Sequence, residues 1–384
     1  MALSLSERTD YITQAEIRVM TLECEKAGGV NLAQGVCDLG VPPEVVDGTV
    51  DAIARGYNSY TRYDGLPELR QAIAGKLRRF NGIEADPETE ITVSAGSTGS
   101  LYCACLALLN PGDEVILFEP FYGYHANTVR AANAVPRGVT MHPPDWEFDA
   151  ADLERAVTPR TKAIVVCTPG NPSGKVYSAQ ELRCIAEVAT RHDLFIFTDE
   201  IYEYFVYDGR THVSPMSLDD TRDRTVMISG YSKTYSITGW RIGYSVSHSK
   251  WADAIGRVND LIYVCAPAPL QMGVAAGITR LAPEYYASLC DAFRLKRDLF
   301  CSGLTAAGLP PMVPQGSYYV LADVSRLPGD DSKAKAMCLL NHTGVASVPG
   351  SAFYLTEAGH NLVRFCFAKT DAELEDACTR LRRL

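Results

Sequence analysis

No Cys-x-x-Cys pair occurs in this chain, although it carries 12 cysteines in 384 residues. That argues against zinc-ribbon and dithiol redox sites, and Cys103 and Cys105 stand too close for a usual zinc pair. The cysteines are scattered through apolar runs, such as Cys167 after Val165 and Val166 and Cys366 between Phe365 and Phe367. Buried, reduced thiols in a cytoplasmic protein are expected. No basic run of five appears and the net charge is -10. Both speak against nucleic acid and anionic membrane as partners, since each rewards a basic face. No stretch approaches the roughly 18 apolar residues of a membrane span. The first ten residues lack a charged region followed by an apolar one, so no signal peptide is expected. Also absent are the lysine of a P-loop and the spacing of a dinucleotide fingerprint.

What is present begins with four short, continuously apolar runs: Glu114 to Phe118, Ala163 to Cys167, Leu194 to Thr198 and Thr225 to Ser229. Continuous rather than alternating apolarity predicts strands covered on both faces, as in a mainly parallel sheet. Ser178-Ala-Gln-Glu181 reads as a capping box opening a helix to about His192. The pattern turns helical from about Pro269 to Leu304, then changes after Pro310-Pro311 to short strands and amphipathic helices. The expectation is an α/β fold with helices on both faces of the sheet and a smaller α+β domain. The division predicted is an N-terminal arm (residues 1–45), a large domain (46–275), and a linking helix with a small domain (276–384).

Functional groups are expected just past the carboxyl ends of such strands, and several stand there. Ser229-Gly-Tyr-Ser-Lys-Thr-Tyr-Ser-Ile-Thr-Gly-Trp-Arg-Ile-Gly243 places Lys233 in a loop of small and hydroxyl residues and Arg241 eight residues on. A lysine whose surroundings lower its pKa forms a Schiff base with an aldehyde, and an arginine holds a phosphate with a planar fork. Aldehyde and phosphate together describe pyridoxal 5′-phosphate (PLP). Asp199 ends a run where its carboxylate can pair with a protonated ring nitrogen, and Tyr202 follows three residues on. Asn171 sits in the stiff loop Thr168-Pro-Gly-Asn-Pro-Ser-Gly174. Ser97 and Thr98 lie in a small-residue loop opening a helix, an arrangement suited to an anion. Tyr122 offers a face to a flat ring. Arg364, in the apolar strand Leu362 to Phe367, needs an anion, and a substrate carboxylate would serve. Each also has an ordinary structural reading: a solvated turn, a helix cap, a core aromatic or a salt bridge.

Taken together, these segments resemble the fold-type I PLP enzymes, specifically the class I/II aminotransferases, from about Val30 to the C-terminus. The resemblance is nearest to the branch containing kynurenine, glutamine, methionine and aromatic aminotransferases. It implies that Lys233 carries the cofactor and moves the proton, that Asp199 pairs with the pyridine nitrogen, and that Asn171 and Tyr202 bond the ring oxygen. It further implies that Tyr122 stacks on the ring, that Ser97, Thr98, Arg241 and Ser232 hold the phosphate, and that Arg364 takes the substrate α-carboxylate. Asn58 to Arg70 resembles the segment whose tyrosine, here Tyr60, reaches the partner subunit's phosphate, which implies a homodimer with shared sites. Asn31-Leu-Ala-Gln-Gly35 resembles the substrate loop, with Gly35 and Asn171 near the substrate. The implied activity is transamination between an L-amino acid, preferably neutral or aromatic, and a 2-keto acid by a ping-pong route. Elimination, cyclisation or oxidation on the same scaffold is the alternative.

Three departures stand out. Gly230 occupies a position where many relatives have a phosphate-binding serine. Val36-Cys37-Asp38 replaces an aromatic-containing motif. No arginine for a second, distal substrate carboxylate is evident. Tyr11, Ile17, Tyr318 and Phe353 are expected near the side-chain pocket. A transcription regulator carrying such a domain would need a DNA-binding module, for which the residues before Asn31 give little room.

Overall fold

The computed structural model describes residues 3–6, 8–12, 14–37, 39–218 and 221–384. The expectation attached to Asp38, and the part of the leader reading resting on Met1, Ala2 and Glu7, lie outside the described residues. The chain first forms a two-residue strand, β1 (Val30–Asn31). Seven strands then build the large sheet: β2 (Ile91–Ala95), β3 (Glu114–Glu119), β4 (Val135–Thr140), β5 (Thr161–Cys167), β6 (Phe195–Asp199), β7 (Thr225–Gly230) and β8 (Ile242–Val246). Their order is β2-β8-β7-β6-β5-β3-β4, and every pairing is parallel except those of β8 with β2 and β7. The four predicted strands are β3, β5, β6 and β7, and β3, β5 and β7 are buried along nearly their whole length. Their Val, Ile, Leu and Phe side chains pack under helices on both faces, which is why they read as unbroken apolar runs.

The geometry of the one antiparallel strand matters for the site. Because β8 runs against its neighbours, its first residue lies at the edge where the parallel strands end. Arg241, immediately before β8, is thereby delivered beside the loops that follow β2, β3, β5, β6 and β7.

The capping box forms as predicted. Ser178 Oγ accepts from the Glu181 amide at 3.2 Å, the Glu181 carboxylate accepts from the Ser178 amide at 2.8 Å, and the helix runs Ala179–Arg191. The helical pattern expected from about Pro269 to Leu304 is formed by two helices, Ala268–Arg280 and the 24-residue Pro283–Ala306. Pro283 explains the break, since proline suits a first helical turn and disfavours helix in the residue before it.

The second sheet is antiparallel and built from β9 (Pro311–Met312), β10 (Tyr319–Asp323), β12 (Val348–Pro349) and β13 (Leu362–Cys366), in the order β12-β13-β10-β9. Between them β11 (Val345–Ala346) pairs in parallel with β1. The Cys366 amide donates to Leu32 O at 2.7 Å, so the N-terminal loop is tied directly to β13.

Candidate active site

A cavity of about 460 Å³ opens at the carboxyl edge of the large sheet. It is lined by Ser97, Thr98, Tyr122, Asn171, Asp199, Tyr202, Ser232, Lys233, Arg241 and Gly35. Thus ten of the residues singled out from the sequence, drawn from six loops and strand ends, meet at one place.

Lys233 follows β7 and its Nζ donates to Gly35 O at 3.2 Å. Burial pushes its amine down to about 8, with Arg241 and Arg364 acting the same way and the Cys366 thiol and Asp199 opposing. The sign is that of a cation losing water: the neutral, nucleophilic amine gains weight at lower pH than in a free lysine. The apoenzyme is therefore expected to capture PLP at a rate that rises through about pH 8 and levels off above it, followed by the absorbance of the Schiff base. A rate that keeps climbing to pH 10 would show an unshifted amine.

Asp199 ends β6. His125 Nε2 donates to its Oδ2 at 2.9 Å, and the Ile201 amide donates to its Oδ1 at 3.3 Å. The carboxylate is thus fixed from behind while still facing the cavity. His125 also meets the Tyr122 ring edge-on at 5.4 Å, and Tyr122 stacks on Tyr124 at 5.1 Å. His125 is absent from the sequence-based candidates, since its partner lies 74 positions away. A histidine one helical turn after a candidate stacking tyrosine is the signal that was available.

Arg241 is held by Thr238 O at 2.9 Å and Ala95 O at 3.5 Å. It lies against Gly96, where a Cβ would stand 2.3 Å from Arg241 Nη2. Gly96 opens the helix Gly96–Leu108 with φ +79°, so the first amides of that helix, Ser97 and Thr98 face the cavity together with the guanidinium. This is a built anion cradle. Gly96→Ala is expected to cost about 1–3 kcal/mol of stability from the left-handed backbone. By displacing Arg241 it should also weaken cofactor binding about tenfold, read by titration of the apoenzyme. At Gly230 a side chain would be tightly fitted: its Cβ would sit 3.0 Å from Ile242 O and 3.1 Å from Gly243 Cα, so the neighbours would have to give by a few tenths of an ångström. Ser232, two residues on, lines the cavity instead.

Arg364 lies on β13, fully buried, and does not line the cavity wall itself. Its Nη1 donates to Asn171 Oδ1 at 3.0 Å and its Nη2 to Ala33 O at 2.6 Å, while its Nε has no partner. With Asn171 Oδ1 committed, the Nδ2 group is the end left to donate. Tyr319, another residue sequence reasoning did not flag, lies under the guanidinium at 4.2 Å and receives the Tyr202 hydroxyl at 3.2 Å. The loop carrying Gly35 is shaped by Asn31, whose Oδ1 accepts from the Ala33 and Gln34 amides at 3.0 and 3.2 Å.

Of the expected pocket residues, Ile17 lines the cavity. Tyr318 donates to Gly35 O at 3.3 Å, and Phe353 packs 5.2 Å from Arg364. Tyr11 and Tyr60 are not among the residues lining the cavity and are 63% and 84% exposed.

This donor set fits PLP: an amine with a lowered pKa, a pinned carboxylate, and a cradle kept open by glycine. Comparison with known proteins decides the family. The family described as aminotransferase class I and II matches residues 27–381. The chain belongs to it. It is a PLP-dependent aminotransferase, a transferase acting on amino acids and keto acids. The solved N-succinyldiaminopimelate aminotransferase of Mycobacterium tuberculosis superposes with a TM-score of 0.95 at 36% identity, covering 99% of each chain. The kynurenine–oxoglutarate transaminase 3 of Mus musculus is 37% identical over 91% of this chain and 83% of its own. The methionine aminotransferase of Escherichia coli (strain K12) is 32% identical over 95% and 94%. The fold-type I architecture implied by the resemblance is that of the solved structural neighbours.

Proposed function

We propose that this aminotransferase takes L-amino acids with neutral or aromatic side chains as donors and 2-keto acids as acceptors in a ping-pong cycle, with Lys233 as its catalytic residue. The observation that carries the reading is the convergence of Lys233, Asp199 and Arg241 on one cavity. The donor preference is supported by Tyr122, Tyr124, Tyr202, Tyr319, Ile17, Ile201 and Val36, which share the wall with polar residues. Bound PLP supplies an aldehyde that captures amines and a ring that draws electrons from the substrate Cα. Lys233 would hold that aldehyde, and its amine would move the proton released at the substrate Cα. Asp199 keeps a proton on the ring nitrogen by its charge, with His125 holding the carboxylate in register. Asn171 would donate to the ring oxygen, as would Tyr202 once its hydroxyl turns from Tyr319, and Tyr122 would stack on the ring. Ser97, Thr98, Ser232 and Arg241 bind the phosphate. Arg364 takes the α-carboxylate beside Gly35 and Asn171.

Tyr60, exposed and not among the residues lining its own cavity, fits a role in the site of a second copy, and we read the protein as a homodimer. A monomeric mass in sedimentation at micromolar concentration would remove that role. The division into an arm (1–45), a large domain (46–275) and a small domain with its linking helix (276–384) is supported by the two sheets and by the β1–β11 pairing. Cytoplasmic residence is supported by the buried, unpaired thiols. No helix among the described residues is long and apolar enough to cross a membrane.

The test is to mix holoenzyme with single amino acids and no acceptor. Stoichiometric keto acid with conversion of the cofactor to its aminated form is expected, fastest with neutral or aromatic donors. Catalytic release of ammonia or peroxide would overturn the reading.

A further inference from the structure

Tyr319 lines the cavity, yet none of the roles above uses it. It opens β10, where it stands opposite Cys366 while Leu321 stands opposite Arg364. Residues two apart on a strand share a face, so Tyr319 and Arg364 are diagonal neighbours on one side of the second sheet. That register sets the centre of the ring 4.2 Å from Arg364 Cζ, and Phe353 adds a second ring at 5.2 Å. The hydroxyl end is equally enclosed. It accepts from the Tyr202 hydroxyl at 3.2 Å, and a Cβ on Gly35 would stand 1.8 Å from its oxygen. Glycine at position 35 leaves the space that this hydroxyl fills. Burial pushes the phenol up to about 12 against the opposing charge of Arg364, so the hydroxyl stays neutral across the working pH range. One buried side chain thus touches both the group read for the α-carboxylate and a group read for the ring oxygen.

We propose that Tyr319 is a positioning residue with two separable duties: its ring orients the Arg364 fork for the substrate α-carboxylate, and its hydroxyl supports that of Tyr202 against the ring oxygen of the cofactor. The proposal rests on the roles read above for Arg364 and Tyr202 and adds the residue through which both are held. The bonds from Arg364 to Asn171 and Ala33 fix two corners of the guanidinium. Rotation about the line joining them is left, and attraction to an aromatic face restrains it. At the other end, each hydroxyl both donates and accepts. When Tyr202 turns its hydrogen to the ring oxygen, the contact survives by reversal, with Tyr319 donating to Tyr202. A donor behind Tyr202 polarises it and strengthens its own donation. A tyrosine that merely filled the core beside β10 would do neither.

The experiment compares wild-type holoenzyme with Tyr319→Phe and Tyr319→Leu. Two quantities are read without turnover: affinity for butyrate, titrated by the cofactor absorbance, and the pH midpoint of the Schiff-base absorbance. Tyr319→Phe keeps the ring, so butyrate affinity should stay within about twofold. Its midpoint should rise by about half a pH unit, the worth of one neutral hydrogen bond. The sign follows because a weaker donor at the ring oxygen leaves the Schiff-base proton more tightly held. In a Tyr202→Phe background that rise should vanish. Tyr319→Leu should also weaken butyrate binding about tenfold and raise KM for amino acids by a similar factor, with kcat changed less. Tyr319→Met takes its place should the leucine variant not fold. The proposal is overturned by a midpoint that stays or falls in Tyr319→Phe, by a rise that persists without the Tyr202 hydroxyl, or by butyrate binding that survives loss of the ring. The parent roles fail separately: butyrate binding unmoved in Arg364→Leu, or a midpoint unmoved in Tyr202→Phe, would overturn the assignment of Arg364 or Tyr202 itself.

Discussion

Lys233→Ala is expected to abolish transamination while leaving the cofactor site largely intact. Removal of the proton-transferring amine alone predicts a loss of about 10²–10⁴ in kcat. The covalent hold on the aldehyde disappears as well, so product release of the aminated cofactor into solution should accelerate. The rest of the site does not depend on the amine: its one hydrogen bond reaches Gly35 O, and Asp199, Arg241 and Asn171 have their own partners. PLP should therefore still bind, absorbing as a free aldehyde rather than a Schiff base. Added methylamine is expected to restore part of the turnover by serving as a diffusible base. Full turnover in the variant without added amine would refute the assignment of Lys233.

The reasons that Lys233 and Asp199 were legible in the sequence are physical. Both follow strands buried on two faces, and such strands betray themselves as continuous apolar runs whose ends are sharp. β8 hid for two reasons. It opens with the Ile-Gly pair behind a motif that drew attention for its arginine, and strand direction leaves no mark on composition. β4 hid because it is an edge strand containing Pro136 and Gly138, both of which argue against a strand on propensity. His125 and Tyr319 form a third group. Their roles depend on contacts with residues far along the chain, and single-chain periodicity carries no record of these. Arg364 lay between the groups: an arginine in a strand buried at every position announces an unmet charge, yet only the fold shows that Asn171, Ala33 and Tyr319 arrange it.

That arrangement makes Arg364 the second large lever. Its guanidinium is anchored at two points and stacked on Tyr319, with Nε unpaired in the interior. A buried donor without an acceptor costs about 1–3 kcal/mol, so the site is built short of an anion that the substrate can bring. With two charge-assisted bonds of about 1.5–3 kcal/mol each, Arg364→Leu is expected to lower kcat/KM for amino acids by roughly 10²–10⁴. Arg364→Lys keeps the charge but not the fork, and should recover only part of the loss. Because the truncation also strands Asn171 Oδ1 and Ala33 O, a general loss of structure must be told apart from a loss of recognition. A primary amine lacking the α-carboxylate does this. Wild-type enzyme should convert it slowly and Arg364→Leu at a similar rate, so that the preference for amino acid over amine collapses in the variant while cofactor affinity holds. If amine and amino acid lose activity in equal proportion, Arg364 is a structural ion of β13 and the α-carboxylate is bound elsewhere.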